Sequence, residues 1–127
     1  MKRAAASPSL PTADTVRRNT NVSLKATKPT ATAEASAEAA TRAINYLEKR
    51  AGATQLAAVF IEPIQGEGGF IVPAPGFLST LQEWTRANGI VLVADEVQSG
   101  MARTGKWFAS EWEEGFEPDL ITVAKGI

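Results

Sequence analysis

Three short apolar runs constrain this chain more than any other feature. They are Ala57-Ala58-Val59-Phe60-Ile61, Ile90-Val91-Leu92-Val93-Ala94 and Leu120-Ile121-Thr122-Val123-Ala124. The first two read as buried strands of a parallel sheet, where both faces are covered and the in–out alternation is lost. The third reads as another strand. Between the first two, Pro75-Gly76 opens a helix with Phe77, Leu78, Leu81, Trp84 and Thr85 on one face. Pro75 suits the first helical position and Gly89 the C-terminal cap. Before the first run, Ala37, Ala40, Ile44 and Leu47 share a helical face, and Lys49-Arg50 followed by Gly52 supplies the stop signal. A loop with Gly100 and Gly105 leads to a short helix around Phe108–Trp112. Strand, helix, strand, helix, strand is the rhythm of an α/β fold, a mostly parallel sheet with flanking helices.

Residues 1–31 are of another kind. They are rich in Ser, Thr, Ala and Pro, and hold six basic residues against one acid; the remainder holds seven basic against thirteen acidic. Without a sustained apolar period such a segment cannot offset its ordering entropy. The expected organisation is therefore a disordered N-terminal segment over 1–31 and a folded unit over 32–127. A basic, hydroxyl-rich, acid-poor start also has the character of an organelle transit peptide; otherwise the expected location is cytoplasmic. Its charge could bind nucleic acid weakly, but no nucleic-acid partner is expected. No apolar run approaches the ~20 residues of a membrane span, so no membrane partner is expected either. The 127 residues contain no Cys and no His. Disulfides, thiolate metal sites and histidine triads are excluded, and no metal site is expected. Acid–base chemistry falls to lysine, carboxylates or the single tyrosine.

In open α/β sheets ligands bind beyond the carboxyl ends of the strands. The residues there are Glu62, Asp95 and Lys125, each directly after an apolar run. Strands often end in polar residues, so position alone leaves a structural and a functional reading equally open. The residue types add a chemical argument. Pyridoxal phosphate needs an amine to form a Schiff base with its aldehyde and an acidic partner at its pyridine nitrogen. A nearby carboxylate raises that nitrogen's pKa and keeps it protonated. The lysine must lose its proton to attack, which burial near a cationic ring favours, and can then shuttle the proton between two substrate carbons.

Four stretches carry a family resemblance. They are Ile61-Glu62-Pro63-Ile64-Gln65-Gly66-Glu67-Gly68-Gly69, Ala94-Asp95-Glu96-Val97-Gln98-Ser99-Gly100, Ala102-Arg103-Thr104-Gly105, and Pro118-Asp119-Leu120 running on to Ala124-Lys125-Gly126-Ile127. In order and spacing, from about Ala33 to Ile127, the chain resembles the class III pyridoxal-phosphate-dependent aminotransferases. It is closest to the 4-aminobutyrate transaminases, partly through Gly69 to Phe77, although ornithine and acetylornithine aminotransferases share the main motifs. The resemblance implies part of the large, cofactor-binding domain of a fold-type-I enzyme. It implies transfer of an amino group from an ω-amino acid such as 4-aminobutyrate to 2-oxoglutarate, through pyridoxal 5′-phosphate. Lys125 would hold the cofactor and shuttle the proton; Asp95 would pair with the pyridinium nitrogen. Val97 would pack on the ring, Gln98 would bond near its phenolic oxygen, and Glu67 would lie on the substrate side. Glu62 and Arg103 would be structural. Amino acid and 2-oxo acid substrates and a homodimeric full-length parent are also implied.

Family members run to roughly three times this length. Their phosphate-holding turn, ring-stacking aromatic and C-terminal substrate domain have no match in these residues. The chain is therefore expected to be a fragment, and a truncated, inactive product is one alternative. Another is a P-loop nucleotide hydrolase, since Gly100 to Lys106 fits G-x-x-x-x-G-K and Ile90 to Glu96 is Walker-B-like. Against it, Trp107 stands where Ser or Thr should bind magnesium, no strand precedes the loop, and the order of the two motifs is reversed. Trp84, Trp107 and Trp112 are expected in core or interface packing.

Overall fold

The computed structural model describes residues 33–127, so the expectation for residues 1–31 lies outside the described residues. The elements run α1 (Ala33–Arg50), a 3-10 turn (Ala53–Gln55), β1 (Ala58–Ile61), α2 (Phe77–Ala87), β2 (Val91–Asp95), a 3-10 turn (Ala109–Trp112) and β3 (Leu120–Thr122). The strands form one sheet in the order β1-β2-β3. Both pairings are parallel: Ile61 lies opposite Ala94, and Asp95 opposite Thr122. All three strands therefore end at the same edge. Among the described residues no helix is long and apolar enough to cross a membrane.

The strand pleat sends alternate side chains to opposite faces. Val59, Leu92 and Ala94 face the helices and join Ala40, Leu47, Phe77, Leu78, Leu81, Ile90 and Phe116 in one core. Leu81 and Leu92 are almost wholly buried, and each such side chain contributes ~1.5–3 kcal/mol through the hydrophobic effect. Phe60 and Leu120 point the other way and stay 63% and 58% exposed. Val93, paired with both, is buried. Among the described residues both helices lie over one face of the sheet.

Other differences have local causes. Ala37, placed by its spacing on the inner face of α1, is exposed, and the face begins at Ala40. Pro75 is not the first residue of α2. Phe77 N–H donates to Ala74 O at 3.2 Å and Gly76 has φ 91°, ψ −7°, so Pro75-Gly76 are the central pair of a type II turn. The amides that open α2 are capped from a distance: Glu113 Oε1 accepts from Ser79 N–H at 2.6 Å and Oε2 from Leu78 N–H at 3.3 Å. At the far end Gly89, at φ 66°, closes a Schellman motif, with Ile90 N–H on Thr85 O and Gly89 N–H on Arg86 O. The third strand stops at Thr122 rather than Ala124 because β2, its sole partner in the sheet, ends opposite it at Asp95. Trp84 packs against the core. Trp107 and Trp112 do not; they are 66% and 60% exposed, and Trp112 lies under the Lys106 ammonium.

Candidate active site

Beyond the shared strand edge lies a cavity of about 90 Å³ lined by Glu62, Glu67, Asp95, Val97, Gln98 and Lys125. The chain's fold brings together five residues singled out in the sequence for cofactor or substrate contact, and adds Glu62. They come from three separate stretches, delivered by the parallel pairing of β1, β2 and β3.

Asp95 is the last residue of β2 and is half-buried. Its Oδ1 accepts from Val97 N–H at 3.1 Å and from Thr122 Oγ1 at 3.0 Å. Oδ2 accepts no hydrogen bond among the described residues, so the carboxylate is oriented by one oxygen and keeps the other available. Lys125 follows β3 by three residues, and its Nζ donates to Gln98 Oε1. Its backbone has φ 57°, and Gly126 N–H closes a γ-turn onto Ala124 O at 2.6 Å. A non-glycine residue held there stores of the order of 1–3 kcal/mol, a cost found where the surroundings dictate the conformation. Lys125 is exposed; the burial expected around its amine does not come from the described residues.

Gln98 is held on its other flank by Gly66. A Cβ at position 66 would come within 2.6 Å of Gln98 Cγ. Gly66 is brought there by Glu62, whose Oε2 accepts the Gly66 N–H at 2.5 Å. Glu67, at the tip of the same loop, is exposed. Three acidic residues and one amine-bearing residue line the cavity, so the charged residues around it are mostly anionic. Sequence reasoning missed Thr122, Gly66 and Glu96. Thr122 had a faint signal, a hydroxyl inside an apolar run; Gly66 had none beyond its motif. Glu96 was visible as the partner of Asp95 in the Asp-Glu pair. The Gly100–Lys106 segment is a series of turns and bends that leads into a 3-10 turn and no α-helix, so the strand–loop–helix of a phosphate-binding loop is not formed.

The chain is similar to known aminotransferases. A family model of aminotransferase class-III matches residues 4–127. The 4-aminobutyrate aminotransferase of Mycobacterium leprae is 64% identical over 89 residues, 70% of this chain and 20% of that protein. Among solved structures, a thermostable (S)-enantioselective omega-transaminase from Thermomicrobium roseum superposes with a TM-score of 0.66 at 36% identity, covering 73% of this chain and 20% of the other. The omega transaminase from Pseudomonas jessenii in complex with PMP superposes with a TM-score of 0.65 at 32% identity, over 72% and 20%. The chain thus spans about a fifth of the length of the relatives it matches.

Proposed function

The chain belongs to the class-III aminotransferase family, and on that premise we propose that it forms one wall of a pyridoxal-phosphate site. The whole protein would move an amino group from an ω-amino acid, such as 4-aminobutyrate, to 2-oxoglutarate. One observation carries the reading. A carboxylate at the tip of β2 and a primary amine three residues beyond β3, its directly paired neighbour, line the same cavity.

The residues present suit the cofactor. Asp95 offers a fixed carboxylate with a free Oδ2, and an anion is the partner that keeps a pyridine nitrogen protonated. Lys125 offers the only amine on the cavity wall. A cavity of about 90 Å³ is small beside the ~300–1,000 Å³ of typical ligand sites, as suits a single wall. When bound, pyridoxal phosphate supplies an electrophilic aldehyde and an electron-withdrawing ring.

In this reading Lys125 would hold the cofactor through its amine and would carry the substrate proton at Nζ. The Asp95 carboxylate would pair with the ring nitrogen, while Oδ1 keeps the side chain aimed through Val97 and Thr122. Val97 would pack against the ring, and Gln98, already beside Lys125 Nζ, would bond near the phenolic oxygen. Glu67 stands on the substrate side. The donor class rests on the 64% identity with a 4-aminobutyrate aminotransferase. By the same family resemblance the whole protein works as a homodimer.

Incubating the chain with pyridoxal phosphate, reducing with borohydride and mapping the adduct tests the reading. Label concentrated on Lys125, and lost in Lys125→Ala, supports it. Label spread evenly over the six lysines of the chain overturns it.

A further inference from the structure

Glu96 is the one fully buried charged side chain among the described residues, at 0% exposure, and the roles above leave it idle. It directly follows Asp95 at the tip of β2. Consecutive residues leave a strand on opposite sides: Asp95 lines the cavity and Glu96 does not. The Glu96 carboxylate is instead ringed by donors. Oε2 accepts from Ser99 Oγ at 2.6 Å and from Ala109 N–H at 3.0 Å, and Oε1 accepts from Ser110 N–H at 2.7 Å. Ser99, Ala109 and Ser110 are themselves buried.

Ala109 and Ser110 open the 3-10 turn, where amides lack partners within the turn. Glu96 supplies them from thirteen and fourteen residues upstream. It thereby closes the whole Val97–Phe108 loop onto the strand tip. That loop carries two things that matter for the site. One is Gln98, directly before the tethered Ser99. The other is the turn at Met101 and Ala102, with φ 59° and 64°, and Arg103, whose Nη1 donates to Gly100 O at 3.2 Å. Met101 and Arg103 abut Gly126: a Cβ there would lie 3.1 Å from Met101 Cβ and 3.0 Å from Arg103 Nη1. Gly126 adjoins Lys125.

We propose that Glu96 is a positioning residue, whose carboxylate locks the Val97–Phe108 loop so that Gln98 and the Met101–Arg103 turn hold the Lys125–Gly126 turn in register with Asp95. The proposal rests on the pyridoxal-phosphate reading above. Glutamine in place of Glu96 keeps the size but replaces one acceptor oxygen with a donor, which then faces N–H or O–H donors in a buried space; such a mismatch is worth about a tenfold change in a local equilibrium or more.

The test uses the 127-residue chain and two readouts. Without cofactor, amide hydrogen exchange in Glu96→Gln is expected to quicken about tenfold over Val97–Ser110, with Leu92–Ala94 unchanged. Uniform acceleration, or none, overturns the proposal. With pyridoxal phosphate and borohydride, the share of label on Lys125 relative to the other five lysines is expected to fall about tenfold in Glu96→Gln, and less in Ser99→Ala, which removes one bond of the three. Leu47→Ala serves as the control, since it weakens the distant core and is expected to keep the Lys125 share. If both Glu96→Gln and Leu47→Ala lose it, Glu96 serves only general stability and the proposal fails. If Glu96→Gln keeps the wild-type share, the proposal fails alone. If wild type shows no preference for Lys125, the functional reading fails and the positioning role falls with it.

Discussion

At the scale of single residues, the site works by dividing labour within side chains. Asp95 spends Oδ1 on the Val97 amide and the Thr122 hydroxyl and leaves Oδ2 open. Asparagine at this position can keep both bonds through its own oxygen while losing the charge. Asp95→Asn is therefore expected to change stability by less than ~1 kcal/mol, measured by urea unfolding. It is expected to weaken pyridoxal phosphate binding about tenfold, because a charge-assisted pairing is lost, measured by absorbance titration. Gly66 gives a second prediction. A methyl at position 66 would meet Gln98 at Cγ and Cβ, atoms near the backbone with little room to swing aside. Gly66→Ala is expected to cost ~1–3 kcal/mol by overpacking and to drive Gln98 off Lys125, read as a lower thermal midpoint together with a smaller share of borohydride-trapped label on Lys125.

At the scale of elements, the decisive contacts join segments far apart in sequence. The N-terminus of α2 depends on Glu113, 34 and 35 residues downstream of the amides it caps. Removing such a cap costs ~0.5–2 kcal/mol. Glu113→Ala is expected to fall in that range by urea unfolding, with Glu113→Gln recovering part. The inner face of α2 carries more weight. Leu81 is fully buried, so Leu81→Ala is expected to cost ~2–5 kcal/mol and to shift the same unfolding midpoint further than the loss of the cap. The opposite C-terminal end of α2 was legible beforehand, because Gly89 after an amphipathic run is a local signal with a local cause. Its N-terminus was misplaced by two residues, because a proline–glycine pair suits a type II turn as well as a helix start.

At the scale of the whole molecule, the helices cover one face of the sheet and leave Phe60, Val91 and Leu120 in water on the other. Exposed apolar residues on a sheet face favour association. The isolated 127-residue chain is therefore expected to scatter light increasingly with concentration, and Phe60→Lys with Leu120→Lys to suppress this without lowering the unfolding midpoint. The sequence by itself determined the three strands, the two long helices, their parallel order and the place of Glu62 and Asp95 at the ends of β1 and β2, because apolar runs, helical spacing and glycine stops act over a few neighbouring residues. Only the tertiary structure decided that β3 ends at Thr122, that Glu113 caps α2, and that Glu96 turns inward to bind Ser99, Ala109 and Ser110 while its neighbour Asp95 faces the cavity. Those outcomes depend on which donor or backbone meets a given residue across the fold, and a buried carboxylate takes its partners from wherever the packing supplies them.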